Sequence, residues 1–312
     1  MLSRRKRSIT GKKVASFTEV NIKPDKARKI IRRYHFLINK QKIICNKLGI
    51  TADPVPPHLE GPADVEDPQE MEKMLLRVQD KGMARDSLVR CLHYIANEVS
   101  KKGGLKDYQL ASRVGQSQSR GGDSSKLLVK WLRELQLPQH DPPLTALEIG
   151  SLNCHNCIST CKIFKSVTRI DLNNSNDSRG IIRQDFMKRP LPSSDTDRFD
   201  LISCSLVLNF VPTPIERGQM LRRLQQFLKR RSLFFLVLPL PCITNSRYID
   251  NLHLARMLEH LGYVQLRRHE SSKLYYALYA LQNQSVNNTP TSFRHKKVLR
   301  DGPGMNNFCI LL

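Results

Sequence analysis

The sequence predicts an α/β domain built on a mainly parallel sheet with an antiparallel last strand, preceded by a helical N-terminal extension. Three observations predict it. From Leu144 onward, short apolar runs alternate with helix-like stretches, the pattern of a sheet covered on both faces. Near the end, Tyr263–Arg267 and Lys273–Leu281 follow one another across the short polar turn His269-Glu270-Ser271-Ser272, which calls for antiparallel pairing. Before Leu144 the periodicity is helical and the N-terminus is strongly basic.

The chain has 312 residues, 51 Lys+Arg against 28 Asp+Glu, and a net charge of +23. A hydrophobic share of 40% with 25% charged residues excludes full disorder and allows a sizeable core. The length suits one large domain with additions, or two domains. The longest apolar stretch, Leu233–Ile243, is too short to span a membrane and carries Pro239 and Pro241. No apolar segment follows the basic start MLSRRKRSITGKK, so no secretory route is expected and the 8 cysteines are read as reduced thiols.

The charge is concentrated. Residues 1–50 hold 15 Lys and Arg and 2 Asp and Glu, which is +13 of the +23. This basic arm is read as a nucleic-acid contact, a nuclear-import signal at Arg4-Arg5-Lys6-Arg7, or both. Within it, Pro24 and Gly49 bracket a helix over residues 24–48. Ala27, Ile30, Ile31, Tyr34, Leu37, Ile38, Ile44 and Leu48 recur at helical spacing, with Lys26, Arg28, Lys29, Arg32, Arg33, Lys40, Lys42 and Lys47 mostly on the other faces. Residues 51–70, with five prolines, six acidic residues and no Lys or Arg, read as a linker. Asp67-Pro68-Gln69-Glu70 then opens a helix continued by Met71, Met74, Leu75 and Val78, and a second runs from about Arg85 to Val99. The organisation is therefore an arm (1–50), a linker (51–70), a helical segment packing on the catalytic domain (71–140) and that domain itself (141–312).

In the alternating half, strands are expected at Leu144–Ile149, Val167–Leu172, Ile181–Arg183, Phe199–Ser203 and Leu233–Leu238. Thr213-Pro214-Ile215-Glu216 is a capping box opening a helix over Ile215–Leu228, and a last helix covers Tyr248–Leu261. Ligands of such sheets bind beyond the carboxyl ends of the strands. There the sequence places Gly150 after strand one, where a ligand can approach the backbone. Asp171 ends strand two and can accept from ribose hydroxyls. Asp185 and Phe186 follow strand three, suited to an adenine edge and face, and Ser203 to Phe210 end strand four.

This ordered set resembles the class I S-adenosylmethionine-dependent methyltransferases, with their Rossmann-like sheet and antiparallel last strand. The resemblance implies S-adenosylmethionine as cofactor, held by Gly150, Asp171 and Asp185, with Phe186 beside the adenine and Ser203 or Ser205 near the methionine moiety. The loop Gly-Ser-Leu-Asn-Cys-His-Asn has one glycine where the family has three. Further motifs narrow the match: Tyr108-Gln109-Leu110-Ala111-Ser112, Gly115-Gln116, Arg120-Gly121-Gly122-Asp123-Ser124-Ser125-Lys126, Trp131-Leu132, Gln184-Asp185-Phe186-Met187, Arg189-Pro190-Leu191-Pro192, Asn209-Phe210-Val211-Pro212 and Arg217-Gly218. With these the chain is similar to the fungal 25S ribosomal RNA adenine-N(1) methyltransferase family. That implies a nuclear, nucleolar enzyme whose partner is large-subunit ribosomal RNA or the pre-ribosome.

Adenine N1 has an in-plane lone pair and no proton at neutral pH, so orientation rather than a general base is required. Strand four accordingly lacks the Asn/Asp-Pro-Pro-aromatic motif of amino-group methyltransferases. No catalytic residue is assigned; Asn209, Phe210 and the Arg120–Asp123 loop are candidates for the target pocket. Gly121-Gly122-Asp123 reads either as an anion-binding loop, with Arg120 reaching the cofactor carboxylate, or as a helix cap made by Asp123 or Ser124. Cys154, His155, Cys157 and Cys161 have ligand spacing, but no second pair follows and no metal is expected. Cys309-Ile310-Leu311-Leu312 has the form of a prenylation box; it is read instead as a terminal strand, Asn307–Leu312, paired with Lys297–Arg300. The alternative function is a catalytically inactive S-adenosylmethionine sensor acting through a protein partner. A general RNA-binding module is disfavoured by Gly150, Asp171 and Asp185.

Overall fold

A computed structural model describes residues 24–50, 67–80, 82–101, 123–136, 144–172, 180–282 and 290–312. The chain divides into two compact units, Met1–Arg120 and Gly121–Leu312. Residues 1–23 of the arm and nearly all of the linker lie outside the described residues.

The first unit contains helices α1 (Pro24–Leu48), α2 (Pro68–Arg77) and α3 (Arg85–Lys101). Asp67 caps α2, its side chain accepting from the Gln69 N–H at 2.9 Å, with Pro68 in the first turn. Leu37, Ile44 and Cys45 of α1, Met71, Leu75 and nearby Val78 from α2, and Leu88, Cys91, Leu92 and Ile95 of α3 form one core. The basic face expected of α1 is not wholly outward. Arg33 donates to Glu98 (Nε to Oε1, 2.9 Å) and to Glu72 (Nη1 to Oε2, 2.9 Å), tying the three helices together. Lys40 is 7% exposed, and its ammonium reaches the Leu76 carbonyl at 3.4 Å. Lys29, Lys42 and Lys47 remain exposed, while the side chains of Lys26, Arg28 and Arg32 lie outside the described set. A cation in a helix core needs acceptors, and α2 and α3 supply them.

The second unit opens with α4 (Ser125–Glu134) and holds a seven-stranded sheet in the order β3-β2-β1-β4-β5-β7-β6. The strands are β1 (Thr145–Ile149), β2 (Ser166–Asp171), β3 (Ile182–Arg183), β4 (Phe199–Ser205), β5 (Leu228–Pro239), β6 (Tyr263–Glu270) and β7 (Leu274–Leu281). β1 to β5 are parallel, and β7 runs antiparallel to both β5 and β6. Between them lie α5 (Cys157–Thr160), α6 (Pro214–Gln226), α7 (Pro241–Thr244) and α8 (Asn251–His260), with α9 (Thr291–Arg294) after the sheet.

Side chains alternate across the sheet. Leu147, Ile202, Phe234 and Leu236 face a core completed by Met220, Leu221 and Leu224 of α6, by Leu254, Met257 and Leu258 of α8, and by Phe293, Phe308 and Ile310. Ala146, Leu201, Phe235 and Val237 face Leu128, Trp131 and Leu132 of α4 and Ile158 of α5. The capping box of α6 is present in both directions: Thr213 accepts from the Glu216 N–H, and Glu216 from the Thr213 N–H.

β5 begins at Leu228, five residues before the expected start, because Phe199 pairs with Leu228 across a bulge. Lys229-Arg230-Arg231 gave no apolar signal there, and Arg231 sits at φ 59°. The C-terminal tail differs more. Asn307–Leu312 does not pair with Lys297–Arg300: Leu311 N–H donates to the Pro214 carbonyl at 2.9 Å, and neighbouring Asn306 bridges to Ser246. The apolar tail lowers its free energy by burying Phe308 and Ile310 in the core rather than by extending the sheet.

Candidate active site

The carboxyl ends of β1 and β4 meet at a glycine. Gly150 has φ +75°, and its N–H and that of Ser151 both donate to the Ile170 carbonyl, at 2.8 and 3.1 Å. A Cβ built there would stand 2.4 Å from Val207 Cγ2. The glycine is thus demanded by Val207 and by its own backbone. Leu206, at φ 58°, turns the chain at the end of β4 and carries Val207 to this contact.

Alternation puts Glu148, Ser203 and Ser205 on the α4 side of the sheet, and Glu148 is in register with Ser203. Glu148 is 7% exposed. Its carboxylate accepts from Ser151 Oγ (2.8 Å) and Asn156 Nδ2 (2.8 Å), and burial raises its pKa above the usual carboxylate value. Ser124 Oγ donates to Ser205 Oγ at 3.0 Å, and Ser203 Oγ lies 3.4 Å from Ser205 Oγ, giving a short row of hydroxyls. Asp123 acts as a cap, while Gly121 and Gly122, on which the anion-binding reading rests, lie outside the described residues. The Asp123 side chain accepts from Ser125 N–H (3.0 Å), Ser125 Oγ (2.5 Å) and Cys157 N–H (2.8 Å), so one carboxylate caps α4 and fixes the start of α5. Sequence reading missed Glu148 as a centre of this network. The only signal was a carboxylate inside an otherwise apolar strand.

Asp171 closes β2 opposite Arg183 of β3, and its carbonyl accepts from Gln184 N–H at 2.9 Å. Asp185 caps the 3-10 turn Phe186–Lys188 through Met187 N–H at 2.9 Å. Phe186 is 4% exposed, its ring 5.2 Å from that of Phe227 and 5.9 Å from the Arg223 guanidinium, so it packs into the core. Arg120, with Gly121 and Gly122, lies outside the described residues.

Three other residues have definite places. Cys204 faces the opposite side from the serines, fully buried, and its thiol is pushed up to about 12, which makes it unreactive. Asp200 stands at the amino end of β4 and takes Thr145 N–H (2.7 Å) and Lys229 Nζ (2.9 Å), tying three strands together away from the site. Asn209, in the 3-10 turn Leu208–Phe210 after β4, has a buried Oδ1 with no hydrogen-bond partner among the described residues. Cys154 Sγ lies 3.4 Å from His155 Nδ1, while Cys161 Sγ donates to the Ile158 carbonyl. No group of three metal-binding side chains occurs among the described residues. Cys309 is 2% exposed beneath Arg217, whose Nη1 takes its carbonyl at 2.8 Å. The tail is built into the unit.

Residues 93–310 match the family described as 25S rRNA (adenine(2142)-N(1))-methyltransferase, Bmt2. The chain belongs to the Bmt2 family. Within it, the chain is 43% identical over 344 residues to the 25S rRNA (adenine(2142)-N(1))-methyltransferase of Saccharomyces cerevisiae, covering 100% of each. It is 36% identical over 249 residues to the 25S rRNA adenine-N(1) methyltransferase of Schizosaccharomyces pombe, covering 76% of this chain and 88% of that one. Similar solved structures include a 1,6-didemethyltoxoflavin-N1-methyltransferase of Burkholderia thailandensis with S-adenosylhomocysteine bound (11% identity, TM-score 0.41, 72% of this chain and 94% of that one). Another is an S-adenosylmethionine-dependent methyltransferase of Clostridium acetobutylicum (12% identity, TM-score 0.41, 56% and 99%).

Proposed function

We propose that this Bmt2-family protein methylates N1 of an adenosine in 25S ribosomal RNA, with S-adenosylmethionine as methyl donor. The observation that carries the reading is the set of polar side chains at and after the carboxyl ends of β1, β2, β3 and β4 in a chain that matches its fungal relative end to end. The residues there fit the cofactor: hydroxyls at Ser203 and Ser205, carboxylates at Asp171 and Asp185, and a tight Gly150 turn beside them. When bound, the cofactor supplies an electrophilic methyl group on a sulfonium. Asp171 would hold ribose hydroxyls, and Asp185, through its side chain and the Met187 turn it caps, the adenine edge. Ser203 and Ser205 would hold the amino-acid end.

The protein need not remove a proton before transfer, because N1 already presents a lone pair. Its task is to hold the target base unstacked and in line with the methyl group. Asn209 and Phe210, following β4, are our candidates for that pocket. We further propose that the reaction takes place in the nucleolus on pre-ribosomal RNA, with the basic arm over residues 1–50 serving import and RNA contact. No observation favours the inactive sensor.

The test is methylation of 25S RNA fragments by the purified chain, read as a reverse-transcription stop and by nucleoside mass spectrometry. N1-methyladenosine is expected. Methyl on the exocyclic nitrogen, or none at all, sinks the reading. Asp171→Ala should weaken cofactor binding at least about tenfold, since a charge-assisted hydrogen bond contributes about 1.5–3 kcal/mol.

A further inference from the structure

From the last residue of α9 the chain carries three exposed cations, Arg294, Lys296 and Lys297, with the exposed His295 among them. None has a carboxylate partner among the described residues. Lys296 Nζ stands 5.6 Å from the centroid of the Tyr248 ring. The row is fixed at both ends. On one side Phe293, 8% exposed, sits against the rings of His253 (5.5 Å) and His260 (5.7 Å), and its carbonyl takes the Leu312 N–H at 2.9 Å. On the other, Leu299 N–H donates to the Arg247 carbonyl at 2.8 Å. The Arg300 guanidinium spans the carbonyls of Ser246 (2.8 Å), Ile249 (3.1 Å) and Ile243.

Of those partners, Ser246, Arg247 and Ile249 lie between α7 and α8, in the segment that leaves the carboxyl end of β5, Ile243 lies in α7, and His253 and His260 lie in α8. Leu311 ties the same tail to Pro214, directly after the loop that ends β4. Gly218 lets the tail pass, since a Cβ there would meet the Leu311 carbonyl oxygen at 1.7 Å. Lys296 and Lys297, between Tyr248 and the Leu299 anchor, are therefore presented toward the end of the sheet that carries Gly150 and Ser205, with Arg294 leading to them along α8. Like charges in a row repel, and a free loop would spread them. Anchoring both flanks instead suits a polyanion whose phosphates repeat along its length.

We propose that Arg294, His295, Lys296 and Lys297 form a strap that grips the RNA phosphate backbone beside the methyl-transfer site. The proposal rests on the reading of ribosomal RNA as substrate. It adds where, on the methyltransferase unit, that RNA is held.

The experiment is fluorescence anisotropy of a labelled single-stranded 25S fragment with the full chain over a range of salt. The triple variant R294A/K296A/K297A is compared with R267A/R268A/K273A. The latter removes three exposed cations from the β6–β7 hairpin, which reaches the same end through Leu240 N–H to the Lys273 carbonyl. The strap variant is expected to bind about tenfold more weakly, with its log–log salt slope flatter by about 2, at about 0.7 per single-strand contact. Cofactor affinity and melting temperature should not move, and R294K/K296R/K297R should bind as wild type. Unchanged RNA affinity in the strap variant, or an equal loss in the hairpin variant, overturns the proposal. Affinity is read without turnover, so a wild-type chain that binds RNA but does not methylate it refutes the functional reading alone.

Discussion

Gly150 and Val207 share one space: the position a Cβ would take on the first is 2.4 Å from Cγ2 of the second. This contact joins the end of β1 to the turn after β4, the two chain segments that frame the crevice.

Gly150→Ala should therefore destabilise the fold by about 2 kcal/mol or more, from left-handed strain and overpacking together. Adding Val207→Ala removes the clash but not the φ of +75°, so the pair should be less harmful than the sum by about 1 kcal/mol. Urea midpoints of the four proteins decide it. Simple additivity would show that the contact is not what requires glycine.

Asp123→Ala should cost about 2 kcal/mol, about 1 from the lost cap of α4 and the rest from the Cys157 N–H left without its acceptor. Asp123→Asn keeps one acceptor and should lose less. Equal midpoints for the two variants would mean the double cap has no energetic weight.

Gly218→Ala offers a reversal of sign. Alanine in a helix interior ordinarily adds up to about 1 kcal/mol over glycine. Here the methyl group would displace Leu311, so a loss is expected, with faster hydrogen exchange at the Leu311 and Leu312 amides. A more stable protein with unchanged exchange would place the tail elsewhere.

Glu148 gives a pH dependence. Burial raises its folded-state pKa, so the folded protein takes up this proton more readily than the unfolded chain. The group's penalty is fully present above the folded pKa and fades as pH falls from there toward the unfolded value of about 4.3. Relative to Glu148→Gln, wild type should thus gain stability as pH is lowered from 8 to 5. Denaturation curves across that range would refute this if the difference were flat or ran the other way.

The features legible in the sequence were those written locally. Pro24 and Gly49 bracket α1, Thr213 and Glu216 cap α6, and apolar runs mark the strands, because each depends on neighbours a few residues away. The β6–β7 pairing was legible for the same reason. What escaped was written across the chain. Asp123 reaches Cys157, Arg33 reaches Glu98, and Arg217 reaches Cys309; no period in the sequence records such partners. Within the site, Gly150, Asp171 and Asp185 stood out by their places after strands. Phe186 stood out equally; that its ring packs into the core was not legible, since a residue type does not say which side of a short turn its ring takes.

In a chain of net charge +23, Glu148, Asp171 and Asp185 put carboxyl groups at or just beyond the ends of β1, β2 and β3. A negative lining favours a donor that carries a sulfonium charge over the neutral thioether left after transfer, and it repels a pyrophosphate. Strap and crevice therefore sort ligands by charge within one unit: polyanion outside, cation within. The spent cofactor, having lost its positive charge, is held there less tightly than the donor it came from.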